Sequence, residues 1–102
     1  MKQVVVQGLG FVGAVLAVVI ASLKKDKYLY SVSGLEQNSV QGLEKIDKMN
    51  KGIFPIKSTD PKLKKIFKKA KLNKNFECTA QLNCLKKADI IISTINLDIG
   101  DC

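Results

Sequence analysis

The sequence predicts an α/β fold: a partial parallel sheet of about four strands, in the order 3-2-1-4, with flanking helices. Three observations predict it. Short β-branched runs alternate with segments of helical length and period; glycines fall at Gly8, Gly10 and Gly13, between the first strand and the first helix; and Glu36 closes the second strand, roughly 20 residues further on.

The first strand is "KQVVVQ", residues 2–7, which stops at Gly8 as a buried parallel strand does. "AVLAVVIASLKK" after Gly13 has the length of a helix and ends in lysines suited to a helix C-terminus. Each glycine of the GxGxxG between them has a physical task. Gly8 permits the tight turn, Gly10 lets a pyrophosphate approach the backbone, and Gly13 lets helix and strand pack closely. The amides near Phe11 and Val12 then lie at the positive end of the helix dipole and form an anion site that needs no basic side chain.

"YLYSVSGLE" is the second strand, ending near Glu36. In a dinucleotide fold an acid at this place accepts hydrogen bonds from the adenosine ribose hydroxyls. It also selects the cofactor. A carboxylate repels the 2′-phosphate of NADP, and Gln37, Asn38 and Ser39 beside it offer no cation, so NAD is favoured.

Residues 39–51 follow as an amphipathic crossover helix, with Val40, Leu43, Ile46 and Met49 or Asn50 at near-helical spacing and Glu44 placed four before Lys48. Gly52 can stop that helix, and Asp60 with Pro61 reads as an N-cap and first-turn proline for a third. That third helix, "KLKKIFKKAK", aligns Leu63, Ile66, Phe67 and Ala70 and crowds its lysines elsewhere. A solvated face over a docked apolar stripe accounts for it better than a nucleic-acid or membrane surface does, because base readout is dominated by arginine and the chain has none. "NFECT" reads as a strand, "AQLNCLKKAD" as a short helix capped by Thr79, and "IIISTI" as a fully buried fourth strand.

The apolar run from Val4 to Leu23, broken only by Gln7 and Ser22, also has the length of a membrane span, and Lys2 with "IAS" allows a secretory signal. The strand, glycine loop and helix within it, followed by Glu36, favour the Rossmann-like reading instead, without a membrane. The chain has 102 residues, enough for one domain, and 17 basic against 9 acidic residues give it a net charge of +8. It contains no histidine, which excludes Ser-His and Cys-His pairs and His-ligated zinc. Cys78, Cys84 and Cys102 match neither a disulfide framework nor a zinc spacing, so the expectation is reduced thiols in a cytoplasmic protein, with Cys84 a small core residue and Cys102 exposed.

"GLGFVG" with the following "AVLA", "YSVSGLE", "NKGIFPI" and "LKKADIIIST", in that order, resemble the N-terminal NAD-binding domain of the UDP-glucose/GDP-mannose dehydrogenase family. The resemblance spans nearly the whole chain, and "NKGIFPI" is its more specific piece. It implies NAD as cofactor and oxidation of the C6 alcohol of a nucleotide sugar to the uronic acid in two NAD-dependent steps, through a cysteine and a lysine that lie outside residues 1–102. Residues 1–102 are thus expected to be a cofactor-binding domain fragment, inactive alone, without the catalytic and C-terminal domains; the nucleotide-sugar substrate is a partner only of a longer protein. The alternative is an inactive isolated module that binds nucleotide or serves assembly. The implied cofactor contacts are Gly8, Gly10, Phe11, Val12, Gly13, Glu36 and, after the fourth strand, Thr94, Ile95 and Asn96, with no catalytic residue and no metal ligand. Glu36 stands where the family usually has aspartate, and Asn96 with Leu97 where it has Pro-Thr, unless the threonine is Thr94 in a shifted register. An apolar fourth strand at the sheet edge further predicts homo-oligomers formed through that edge.

Overall fold

The computed structural model describes residues 1–54, 61–72 and 74–94. Four parallel strands, β1 (Lys2–Gln7), β2 (Tyr30–Leu35), β3 (Phe76–Thr79) and β4 (Ile90–Ser93), form one sheet in the order β3-β2-β1-β4. This is the Rossmann-like order that the alternation of elements predicts. Helices α1 (Phe11–Ser22), α2 (Val40–Asn50) and α3 (Pro61–Leu72) connect the strands, and a 3₁₀ segment, Leu82–Lys87, crosses from β3 to β4.

Small residues let α1 lie close to the sheet. Gly13, Ala14, Ala17, Val18 and Ala21 form its buried face, and Ala17 and Ala21 pack on Val4, Val6 and Val32. A second cluster joins Leu9, Ala14 and Val18 to Ile46 and Met49 of α2, Phe67 and Ala70 of α3, and Cys78 of β3. Asn75 ties the opposite end of the sheet together, its Nδ2 donating to the carbonyls of Ala21 and Tyr30 at 2.8 Å each. Asn50 does the same between α2 and β3, accepting from the Cys78 amide at 2.8 Å and donating to its carbonyl at 3.1 Å.

The run from Val4 to Leu23 is therefore a strand, a turn and a helix. No helix among the described residues is long and apolar enough to cross a membrane.

Several local expectations are corrected. Helix α1 ends at Ser22 because Leu23 is already extended (ψ 127°), so Lys24 and Lys25 lie beyond its last turn. In α2, Ile46 and Met49 are buried while Val40 and Leu43 face solvent, since the buried face of the helix runs along Gly42, Ile46 and Met49. The segment after β3 is a 3₁₀ turn rather than a capped α-helix. The Thr79 hydroxyl accepts from the Gln81 amide at 3.1 Å, a local turn, and no residue of Leu82–Lys87 is buried, so Cys84 is not a core residue. Strand β4 is not fully buried either: Ile91 is 52% exposed, because β1 is its one neighbour among the described strands. Asp60 and Cys102 lie outside the described residues.

Candidate functional site

All four strands point the same way, so their carboxyl ends gather at one edge. The sheet reverses its winding at β1, whose two neighbours are β2 and β4. In open α/β sheets this is where ligands bind. A cleft of about 410 Å³ opens there, lined among others by Gly8, Gly10, Glu36, Lys45, Leu82 and Thr94.

The glycine loop owes its shape to backbone constraints. Gly8 turns the chain with φ 98°, a conformation a side chain disfavours, and its amide donates to the Leu35 carbonyl at 2.8 Å. A Cβ on Gly13 would lie 1.8 Å from the Gly8 oxygen, so helix and strand meet there with no room for a side chain. Gly10 differs from both. A Cβ there would meet nothing within 4 Å, and its φ of −71° suits any residue. An added methyl at Gly10 would therefore stand in open space, at a residue that lines the cleft.

Helix α1 starts at this loop with no side-chain cap and no acid in its first turn. Its first amides lack intrahelical partners, as in every α-helix, and no acid within the helix offsets the positive end of its dipole. Helix α2, by contrast, is closed by Ser39, whose Oγ accepts from the Gly42 amide at 3.0 Å. The open N-terminus of α1 beside a cleft suits an anion. Phe11 and Val12 are exposed at the head of α1, and Phe11 meets Phe54 edge-on at 5.5 Å between ring centroids. Phe54 in turn packs on Phe67 at 4.8 Å, so the "NKGIF" stretch braces the loop from α3.

Glu36 lies across the cleft. Its Oε1 accepts from the Leu9 amide and its Oε2 from the Gln37 amide, both at 2.9 Å. Lys45 of α2 brings its ammonium to 3.9 Å from Oε1. No cation stands beside Glu36 in sequence, but the fold supplies one, and Lys45 is the site residue that sequence reasoning missed. Its position followed from no local signal, only from the packing of α2 over the end of β2. On the other flank the Thr94 hydroxyl donates to the Gly8 carbonyl at 2.8 Å and reaches that of Gln7 at 3.1 Å. Thr94 follows directly on the last pair of β4, its amide donating to the Gln7 carbonyl at 2.8 Å, and its hydroxyl clasps the glycine loop. Ile95 and Asn96 lie outside the described residues.

Neither described cysteine is poised as a nucleophile. Burial pushes the Cys78 thiol up to about 12, and Cys84 is also raised, again by burial first. A second cleft, of about 610 Å³, lies over the sheet face opposite α1, with Ser33, Glu77 and Cys84 in its polar lining.

Comparison with known proteins agrees with this geometry. Residues 2–97 match the model of the UDP-glucose/GDP-mannose dehydrogenase family, NAD binding domain. The solved structure of an NDP-N-acetyl-D-galactosaminuronic acid dehydrogenase from Methanosarcina mazei Go1 superposes with a TM-score of 0.84 at 29% identity, over 94% of this chain and 20% of that one. GDP-mannose dehydrogenase from Pseudomonas aeruginosa, in a ternary complex, superposes with a TM-score of 0.74 at 24% identity and the same coverage, and shows the shared fold. The chain thus spans about a fifth of the length of these structures. Among curated proteins no match was found. The glycine loop, the sheet order and the match over residues 2–97 together show that the chain belongs to the UDP-glucose/GDP-mannose dehydrogenase family, as its NAD-binding domain.

Proposed function

We propose that residues 1–102 hold the adenosine and pyrophosphate of NAD for a dehydrogenase that oxidises the C6 alcohol of a UDP- or GDP-sugar to the uronic acid, with the remaining groups in sequence outside this chain. The observation that carries the reading is the uncapped N-terminus of α1 opening onto the same cleft as Glu36. The residues fit the cofactor. A pyrophosphate takes the amides of Phe11, Val12 and Gly13 over the bare Gly10, and Glu36 keeps unused lone pairs on both oxygens for the two ribose hydroxyls.

NAD, when bound, supplies the hydride acceptor. This chain's own residues bind and orient it. Thr94 and Gly13 fix the loop against the sheet, while Glu36 discriminates at the ribose by charge. None of the described residues is assigned a proton transfer, and turnover belongs to the longer protein.

Calorimetric titration with NAD and with NADP, repeated on Glu36→Ala, tests the reading. Hydrogen bonds to a charged group contribute about 1.5–3 kcal/mol, so the variant should bind NAD at least about tenfold more weakly and lose its preference over NADP. Equal binding of both nucleotides by the parent chain, unchanged in Glu36→Ala, would refute it. Binding of NAD with no activity restored by the missing domains would favour an isolated nucleotide-binding module instead.

A further inference from the structure

Glu36 makes a contact that ribose binding does not need. Its Oε1 reaches across from β2 to the loop after β1 and accepts from the Leu9 amide at 2.9 Å. Leu9 is fully buried, its side chain locked into the cluster of Val18, Met49 and Phe67, so the direction of that amide is set by the core. The carboxylate is held at its other oxygen by the Gln37 amide, also at 2.9 Å, which fixes its plane. On the far flank of the loop Thr94 holds the Gly8 carbonyl. The two turn residues Gly8 and Leu9 are therefore gripped from opposite sides, by β4 and by the end of β2.

We propose that Glu36 is a positioning residue for the glycine loop, and that the methylene by which it exceeds aspartate is what spans the distance to Leu9. This deepens the adenosine-site reading and rests on it for its consequence in binding, though not for the latch itself. A side chain shorter by one carbon–carbon bond of about 1.5 Å can still turn to its own neighbour, the Gln37 amide, but cannot hold Leu9 as well. The Leu9 N–H would then face the cleft unpartnered, and the loop would be free to tilt the first turn of α1 away from the pyrophosphate. In this chain the shorter acid should therefore be the worse one, although it keeps the charge that meets the ribose.

Amide hydrogen exchange by NMR on the nucleotide-free chain tests the latch, with Glu36→Asp and Glu36→Gln as variants and the Val5 amide of β1 as the control for an intact fold. In Glu36→Asp the Leu9 amide should exchange about tenfold faster or more while Val5 is unchanged. Glu36→Gln keeps the length and one acceptor oxygen, so it should hold Leu9 closer to the parent. Leu9 exchange unchanged in Glu36→Asp would overturn the proposal, as would equal loss in both variants, which would make charge rather than length the cause. NAD titration of the same proteins is read separately: the latch predicts weaker binding by Glu36→Asp than by the parent, and tighter binding would contradict it. Failure of the parent to bind NAD at all would refute the adenosine-site reading while the exchange result still decides the latch.

Discussion

Replacing Gly13 with alanine is the most severe single perturbation that the glycine loop offers. The new Cβ would stand 1.8 Å from the Gly8 oxygen, 2.9 Å from its carbon and 2.4 Å from the Thr94 Oγ1, where real Cβ contacts below 3.0 Å essentially do not occur. Two of these atoms are backbone, so no rotamer change relieves the clash. Helix α1 must back away from β1 by more than an ångström, opening the packing of Ala14, Ala17, Val18 and Ala21, all with no exposed surface. Overpacking a core costs about 1–3 kcal/mol, and occasionally more. With rigid atoms on both sides the upper end applies, about 3 kcal/mol. Set against a total of roughly 5–15 kcal/mol for a domain of this size, that lowers the melting temperature by about 12 °C or more. Gly10→Ala is the matched control. Its Cβ meets nothing, so its stability should stay within about 0.5 kcal/mol of the parent. Urea denaturation followed by circular dichroism measures both. A Gly13→Ala protein as stable as Gly10→Ala would refute the close-packing argument.

Other consequences concern charge, thiols and the open edge. Lys45→Ala removes the cation beside Glu36, so NADP affinity should fall several-fold more than NAD affinity in parallel titrations; an equal fall would deny Lys45 any role at the ribose. The Cys78 thiol stays protonated in the folded chain up to about 12 but ionises near 9.0 when unfolded. Its contribution to stability is thus complete below pH 9 and is lost as the pH rises above it, by about 1.4 kcal/mol per unit. Denaturation midpoints between pH 8 and 10 should show this added slope in the parent and lack it in Cys78→Ala. We also propose that the chain self-associates through β4, where Ile90 and Ile91 are 40% and 52% exposed. Light scattering at high concentration should then detect oligomers that Ile91→Lys abolishes, and a monodisperse parent monomer would contradict this.

What could be read from the sequence was what local chemistry determines. The spacing of Gly8 and Gly13 carried the turn and the close packing because each depends on the absence of a side chain at one position. Short β-branched and aromatic runs located all four strands, and the alternation with helices determined their order. Features that depend on distant packing were not accessible in this way. Lys45 reaches Glu36 only because α2 lies over the end of β2, and nothing in "LEKID" distinguishes it from the surface lysines around it. The exposure of Ile91 likewise reflects its having β1 as the one neighbour among the described strands rather than the composition of "IIIS", which is that of a buried strand. The segment after β3 misled for a third reason: its apolar Leu82 and Leu85 have helical spacing, yet with none of its residues buried nothing stabilises a full α-helical turn over the tighter 3₁₀ form.

The central claim, that NAD lies across the glycine loop with its adenosine ribose at Glu36, is tested most directly by mapping amide shifts on titrating the isotope-labelled chain with NAD. The account predicts the largest shifts at Gly8 to Gly13, Glu36, Gln37 and Thr94, around the cleft at the carboxyl ends of the strands. Shifts confined to Ser33, Glu77 and Cys84, on the opposite face of the sheet, would contradict it.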